Sequence, residues 1–182
     1  MAVPGLLTAA ARTSADSREA TSASPRAKHL LFFRGSLHFG DTRAHLQVLN
    51  RHKDVVFDAS GGKGKHVTKT KFGTSSSYAD DMLDSVFCLS PKGHTCESRR
   101  FFDAIAAGCI PIIVNCEQNS FPFETSIDYS SFLLYYPMKD IERDPDSFVI
   151  CLRQLRDSPH MSTWRAGLAR ARAALNWQIG NF

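Results

Sequence analysis

The sequence predicts an α/β fold, a doubly wound parallel β-sheet with helices on both faces. Three observations carry that prediction. Short continuous apolar runs recur along the chain, several closed by Gly, Pro or Asn, the look of strands buried on both faces. Stretches with helical patterning separate these runs, and strands alternating with helices imply βαβ units. The chain has 182 residues, 43% hydrophobic and 22% charged, which suits one domain with a proper core and is too short for two.

The elements follow in order. Residues 1–27 are rich in Ala, Ser, Thr and Arg with no sustained apolar period, and read as a disordered or linker-like segment. The domain is expected over 28–182. "HLLFFRG" is the first strand, and "DTRAHLQVLN" a short helix with Asp41 or Thr42 as N-cap. "DVVFDAS" is the second strand, and the Gly/Lys/Ser/Thr-rich stretch over 60–77 a long loop. "YADDMLDS" reads as a helix and "VFCLSP" as the third strand, ending at Pro91-Lys92-Gly93. A helix begins near Ser98 and stops at Gly108, because glycine accepts the left-handed conformation of a helix C-cap. "CIPIIVN" is the fourth strand and "FLLYYP" the fifth, with two helices around 146–155 and 162–177. No internal repeat is visible.

Composition excludes several classes. A net charge of +4 suits an anionic ligand such as a nucleotide diphosphate, and is too diffuse to argue for nucleic acid. The five cysteines, Cys88, Cys96, Cys109, Cys116 and Cys151, are odd in number and include no C-x-x-C pair. Neither a disulfide framework nor a zinc site is expected, and Cys88 and Cys109, in apolar runs, read as buried thiols. Met1–Ala11 is too short to span a bilayer and lacks the basic flank of a secretory signal, so if the protein works in a membrane compartment its anchor is expected to lie outside this chain. "GGKGKH" lacks the Ser or Thr that a phosphate loop carries after its Lys and reads as a flexible basic loop. His94 and Cys96 have no further ligands nearby to complete a metal set. Asp80, Asp81 and Asp84 read as a solvated helix face, and Trp164 and Trp177 as packing residues.

Open parallel sheets bind ligands at the carboxyl ends of their strands. Three loops there carry unusual chemistry: "RGSLHFGDTR", "SPKGHTCESRR" and "NCEQNSFPFE". In the second, the helix start near Ser98 offers unsatisfied N–H groups and partial positive charge, which favour a phosphate. Arg100 and Asp103 lie three apart on one helix face, where Arg can fork onto a phosphate and a carboxylate can accept ribose hydroxyls. Spacing alone favours a surface ion pair between them. In the first loop Arg34 leaves the strand, and Gly35 and Gly40 let the backbone come close. Arg43 sits in the first turn of a helix, where a cation is unfavourable unless an anion compensates it. By itself Arg43 reads as a solvated arginine.

From about Lys28 to Leu155 the chain resembles the C-terminal part of the exostosin family of glycosyltransferases. The resemblance rests on a series in order: "LLFFRG", "DTRAHL", "Y-x-x-x-M-L-x-S-x-F-C-L-x-P-x-G", "S-x-R-F-F-D-A-I-x-A-G-C-I-P-I-I-V", "PFE" and "IDYSSF". It implies the Rossmann-like, donor-binding C-terminal domain of a GT-B enzyme. Such an enzyme transfers a sugar, with inversion, from a UDP-sugar to a glycan or glycoprotein acceptor in the Golgi membrane or lumen. The matching positions make Arg43 a diphosphate contact, Ser98 and Arg100 the phosphate side of the "S-x-R" motif, and Asp103 the acidic residue near ribose or uracil. Arg34 occupies a further basic position on the donor side. Glu117 stands close to where relatives carry an acidic residue, and no general base is assigned. Because a helix start and arginines can stabilise charge on the leaving diphosphate, no metal and no cofactor are expected; as partner the resemblance implies a missing N-terminal domain or a related transferase subunit. The alternative is a non-catalytic binding module, or a truncated fragment, that retains the nucleotide-sugar-binding fold.

Overall fold

The computed structural model describes residues 27–36, 41–58, 78–93, 96, 98–116 and 121–180, of which 41–42 and 176–180 are described by backbone alone. The expected linker, apart from Ala27, therefore lies outside the described residues, as do the loop carrying "GGKGKH", His94 and Glu117. The proposed caps Asp41 and Thr42 lie outside the described side chains.

Among the described residues five strands form one sheet: β1 (His29–Arg34), β2 (Val55–Asp58), β3 (Ser85–Pro91), β4 (Ile110–Val114) and β5 (Leu134–Tyr136). Their order is β2-β1-β3-β4-β5 and every pairing is parallel. The expected doubly wound α/β sheet is what forms. All seven residues of β3 and all five of β4 are buried, which is why these central strands read as unbroken apolar runs.

The helices are α1 (Asp41–His45), α2 (Tyr78–Leu83), α3 (Arg99–Ala107), α4 (Met138–Arg143), α5 (Pro145–Arg156) and α6 (His160–Gly180). They cover both faces. Phe33 and Leu31 of β1 face a large core with Phe148, Val149 and Leu152 of α5 and Leu168 of α6. Phe32 points the other way, into a smaller cluster with Met82 of α2 and Ala104 and Ala107 of α3.

Local chemistry sets two of the helix ends. Gly108 terminates α3 at φ 73°, and its N–H reaches the Ala104 and Ile105 carbonyls. Asp144 caps α5 by accepting from the Ser147 N–H at 2.9 Å, with Pro145 in the first turn. The helix expected over 41–50 is instead short, passing into a 3₁₀ segment over Leu46–Arg51. That segment buries Leu46 and Leu49, three apart, the spacing at which 3₁₀ side chains stack. The sequence reading did not anticipate α4. Its Met138 N–H is satisfied by Asn115 Oδ1 at 3.1 Å, a tertiary cap from the end of β4.

The cysteine expectation is corrected. Cys88 is bonded to Cys109 and Cys96 to Cys116, with Cα separations of 5.7 and 5.6 Å, and Cys151 is free. Both bridges join chain positions about 20 residues apart that the β3–α3–β4 crossover brings together. Local spacing carries no trace of such a pairing.

Candidate functional site

The strand order reverses between β1 and β3, the switch point at which an open α/β sheet leaves a crevice beyond its carboxyl ends. The loop after β1, the helix α1 and the start of α3 meet there. Hydrogen bonds tie the three together. Arg43 of α1 donates through Nη1 to the Ser36 carbonyl at 2.9 Å, and Arg100 of α3 donates through Nε to the Arg34 carbonyl at 3.2 Å.

Arg34 forms the floor. Its guanidinium spans Asp58 at the end of β2 (2.9 Å) and Asp81 of α2 (2.7 Å), and it is 11% exposed. Its side chain is thus committed to two carboxylates, and what it presents to Arg100 is its carbonyl. Arg100 lies with its Cζ 4.7 Å from the centroid of the Phe33 ring, a cation–π contact. Gly35 permits this approach, because a Cβ there would collide with the Arg100 guanidinium. Among the described residues no hydrogen bond engages the two terminal amino groups of Arg100.

Arg43 is 5% exposed, and burial lowers its pKa from the usual arginine value. Burial also lowers that of Arg100. Tyr78 and Asp103 offset this in part, while Arg43 adds to it, so the two arginines are close enough to repel. Two partly desolvated cations held together favour an anion between them. Ser98 is the residue before α3, and its hydroxyl lies 3.5 Å from that of Ser90 at the end of β3. That hydroxyl makes no cap hydrogen bond, while the Ser98 carbonyl accepts from the Phe101 N–H at 2.9 Å, so the helix start offers a ligand the N–H groups of Arg99 and Arg100.

Asp103 sits one turn into α3 and is 2% exposed. It does not form the ion pair with Arg100 that spacing alone favoured. Arg99 approaches its Oδ2 at 3.5 Å, and the Tyr78 hydroxyl donates to the same oxygen at 3.3 Å. Oδ1 is buried without a hydrogen-bond partner. Burial pushes the Asp103 carboxyl up to about 6, against the pull of Arg99, Tyr78 and Arg100.

Of the five residues singled out from sequence, the crevice gathers Arg43, Ser98, Arg100 and Asp103, with Arg34 beneath. The sequence reading missed Tyr78, the Phe33 platform and the Cys96–Cys116 bridge, which ties the approach to α3 to the corner after β4. Tyr78 stood in a quoted motif, yet nothing local connects it to a carboxylate 25 residues on.

A second concavity of about 520 Å³ lies along 121–135, lined by Phe121, Glu124, Asp128, Tyr129 and Tyr135 among others, and shares no residue with the crevice. Among the described residues no group of three or more His, Cys, Asp or Glu could hold a metal ion. No described helix is long and apolar enough to cross a membrane.

Known proteins place the chain. The profile of the Exostosin GT47 domain matches residues 5–149, well over half of the sequence, and the chain belongs to that family. It is 36% identical over 110 residues to the probable arabinosyltransferase ARAD1 of Arabidopsis thaliana, covering 58% of this chain and 23% of that protein. Exostosin-1c of Danio rerio is 31% identical over 107 residues, 52% of this chain and 14% of that protein. The probable xyloglucan galactosyltransferase GT14 of Arabidopsis thaliana is 36% identical over 61 residues, 32% of this chain and 12% of its own. The chain matches less than a quarter of the length of each of these relatives.

Proposed function

We propose, from membership of that family, that this chain supplies the donor-binding half of a glycosyltransferase that passes sugar from a UDP-sugar to a glycan or glycoprotein acceptor. One observation carries the reading. Arg43 and Arg100 are tied to backbone carbonyls two residues apart, those of Ser36 and Arg34, beside the start of α3, and burial lowers the pKa of each. A diphosphate there would relieve the repulsion and collect the helix N–H groups at once.

The residues take distinct roles. Arg43 and the terminal amino groups of Arg100 contact the diphosphate, and the Ser98 hydroxyl donates to it. Asp103 accepts a ribose hydroxyl through Oδ1. Arg34 serves from beneath, fixing the carbonyl on which Arg100 rests. In the transfer, an acceptor hydroxyl oxygen bonds to the anomeric carbon as the bond to the β-phosphate oxygen breaks. UDP leaves with the electron pair, and the hydroxyl proton passes to a general base. The arginines and the helix start stabilise charge growing on the leaving diphosphate, the moment at which such donors count most. This positive charge performs the neutralisation without a metal.

The relatives named arabinosyltransferase, galactosyltransferase and exostosin support a transferase reading and leave the sugar open. The acceptor side falls to a further domain or a related transferase subunit. Two disulfides support work in an oxidising compartment, consistent with the Golgi lumen.

Calorimetric titration with UDP and uridine tests the proposal. UDP binds with a Kd in the micromolar to millimolar range, about 4–8 kcal/mol, and chelators leave it unchanged. Arg100→Ala weakens UDP by about 10- to 150-fold, one charge-assisted hydrogen bond's worth, and weakens uridine far less. Equal losses for the two ligands remove Arg100 from the phosphates, and no UDP binding at millimolar concentration refutes the proposal.

A further inference from the structure

We infer that Tyr78 is a positioning residue for the nucleoside: its hydroxyl holds one oxygen of Asp103 so that the other stays free to accept a ribose hydroxyl. The inference rests on reading the crevice as a nucleotide site.

The carboxyl group of Asp103 is divided. Oδ2 takes the Tyr78 hydroxyl at 3.3 Å and faces Arg99 at 3.5 Å, while Oδ1, equally buried, has no hydrogen-bond partner. A purely structural aspartate at 2% exposure would be expected to satisfy both oxygens, since an unmet buried acceptor is costly. Tyr78 is itself fixed. It opens α2, and its ring meets Phe32 edge-on at 5.7 Å. Burial, and then the neighbouring Asp103 charge, raise its pKa, so the hydroxyl remains a proton donor across the physiological range.

Ionisation gives the pair a distinct signature. The charged and titratable groups acting on Asp103 among the described residues are Arg99 and Arg100 on its own helix and Tyr78 on α2. Arg43 of α1 acts on Arg100. All three direct neighbours favour the carboxylate, against burial, which holds its titration near pH 6. Removing the Tyr78 hydroxyl therefore moves that titration upward, toward neutral pH. A residue that only filled space would leave it in place.

The test titrates uridine, which has no group of its own ionising between pH 5 and 8, against the full chain and Tyr78→Phe across that range. UDP at pH 7 is the control. In the unaltered protein, uridine affinity rises as pH climbs through about 6. Tyr78→Phe moves that rise to higher pH and weakens uridine and UDP by the same factor at pH 7, about three- to tenfold. Incorporating 3-fluorotyrosine at position 78, a stronger donor of the same shape, moves the rise to lower pH. This second variant decides the matter should Tyr78→Phe fail to fold. If the unaltered protein binds UDP but neither variant shifts the uridine profile, the inference falls and the nucleotide reading stands. If it binds neither ligand, both fall together.

Discussion

Replacing Gly35 by alanine drives a methyl group into the guanidinium of Arg100, with Arg100 Cζ at 3.2 Å and Phe33 Cζ at 3.3 Å behind it. The backbone is not the obstacle, because Gly35 is not in the left-handed region. The methyl must instead displace Arg100 from the Phe33 ring and from the Arg34 carbonyl. The ring contact is worth about 0.5–2 kcal/mol and the hydrogen bond about 0.5–1.5 kcal/mol. Reduced freedom of the unfolded chain returns about 0.4–1 kcal/mol. The net destabilisation is about 1–2 kcal/mol, a fall in Tm of about 2–8 °C for a chain of this size. The effect on ligand is larger in proportion. Arg100, once moved, loses its charge-assisted contacts, so UDP weakens by about 10- to 150-fold while uridine weakens far less. Scanning calorimetry and titration on one preparation give both numbers. A Gly35→Ala protein that melts no lower and binds UDP as before would show that Arg100 is not held against β1 in this way.

The two disulfides should separate by function. Replacing Cys88 and Cys109 by alanine costs stability, about 3 kcal/mol for a bridge spanning 21 residues, and leaves UDP affinity unchanged. Replacing Cys96 and Cys116 costs a similar amount and also weakens UDP, because that bridge anchors the approach to Ser98; equal affinities in the two variants would contradict this. Asp103→Asn should stabilise the protein and weaken uridine. The folded carboxyl titrates near 6, above its unfolded value, so the native state binds more protons between about pH 4 and 6 and stability falls as pH rises through that window. The amide removes this loss, about 2–3 kcal/mol at pH 7, and denaturant titrations at pH 4 and 7 measure it.

The parallel sheet was legible because β3 and β4 are buried on both faces and so read as unbroken apolar runs. The stop at Gly108 was legible because a left-handed C-cap is a local demand with a residue that meets it. Elements whose cause lies far away in the chain stayed hidden. The α4 helix depends on a cap from Asn115, 23 residues earlier, and each disulfide on a whole crossover. The site divides in the same way. Arg43 and Arg100 stood out by type and position, yet only the fold shows that they share a crevice. For Arg34 the sequence gives a basic residue at a strand end and nothing of Asp58 and Asp81, which occupy its guanidinium. Asp103 was singled out as an acceptor of hydroxyls, whereas its division into one held and one free oxygen needed Tyr78 in place.

The central claim, that the crevice beyond β1 and β3 takes a nucleoside diphosphate, is tested most directly by following backbone amide resonances as UDP is added. The account predicts that the largest shifts fall on Gly35, Ser36, Arg43, Ser98 and Arg100, and that uridine reproduces only those near Tyr78 and Asp103. Shifts gathered instead along 121–135, where the second concavity lies, or no shifts at millimolar UDP, would contradict it.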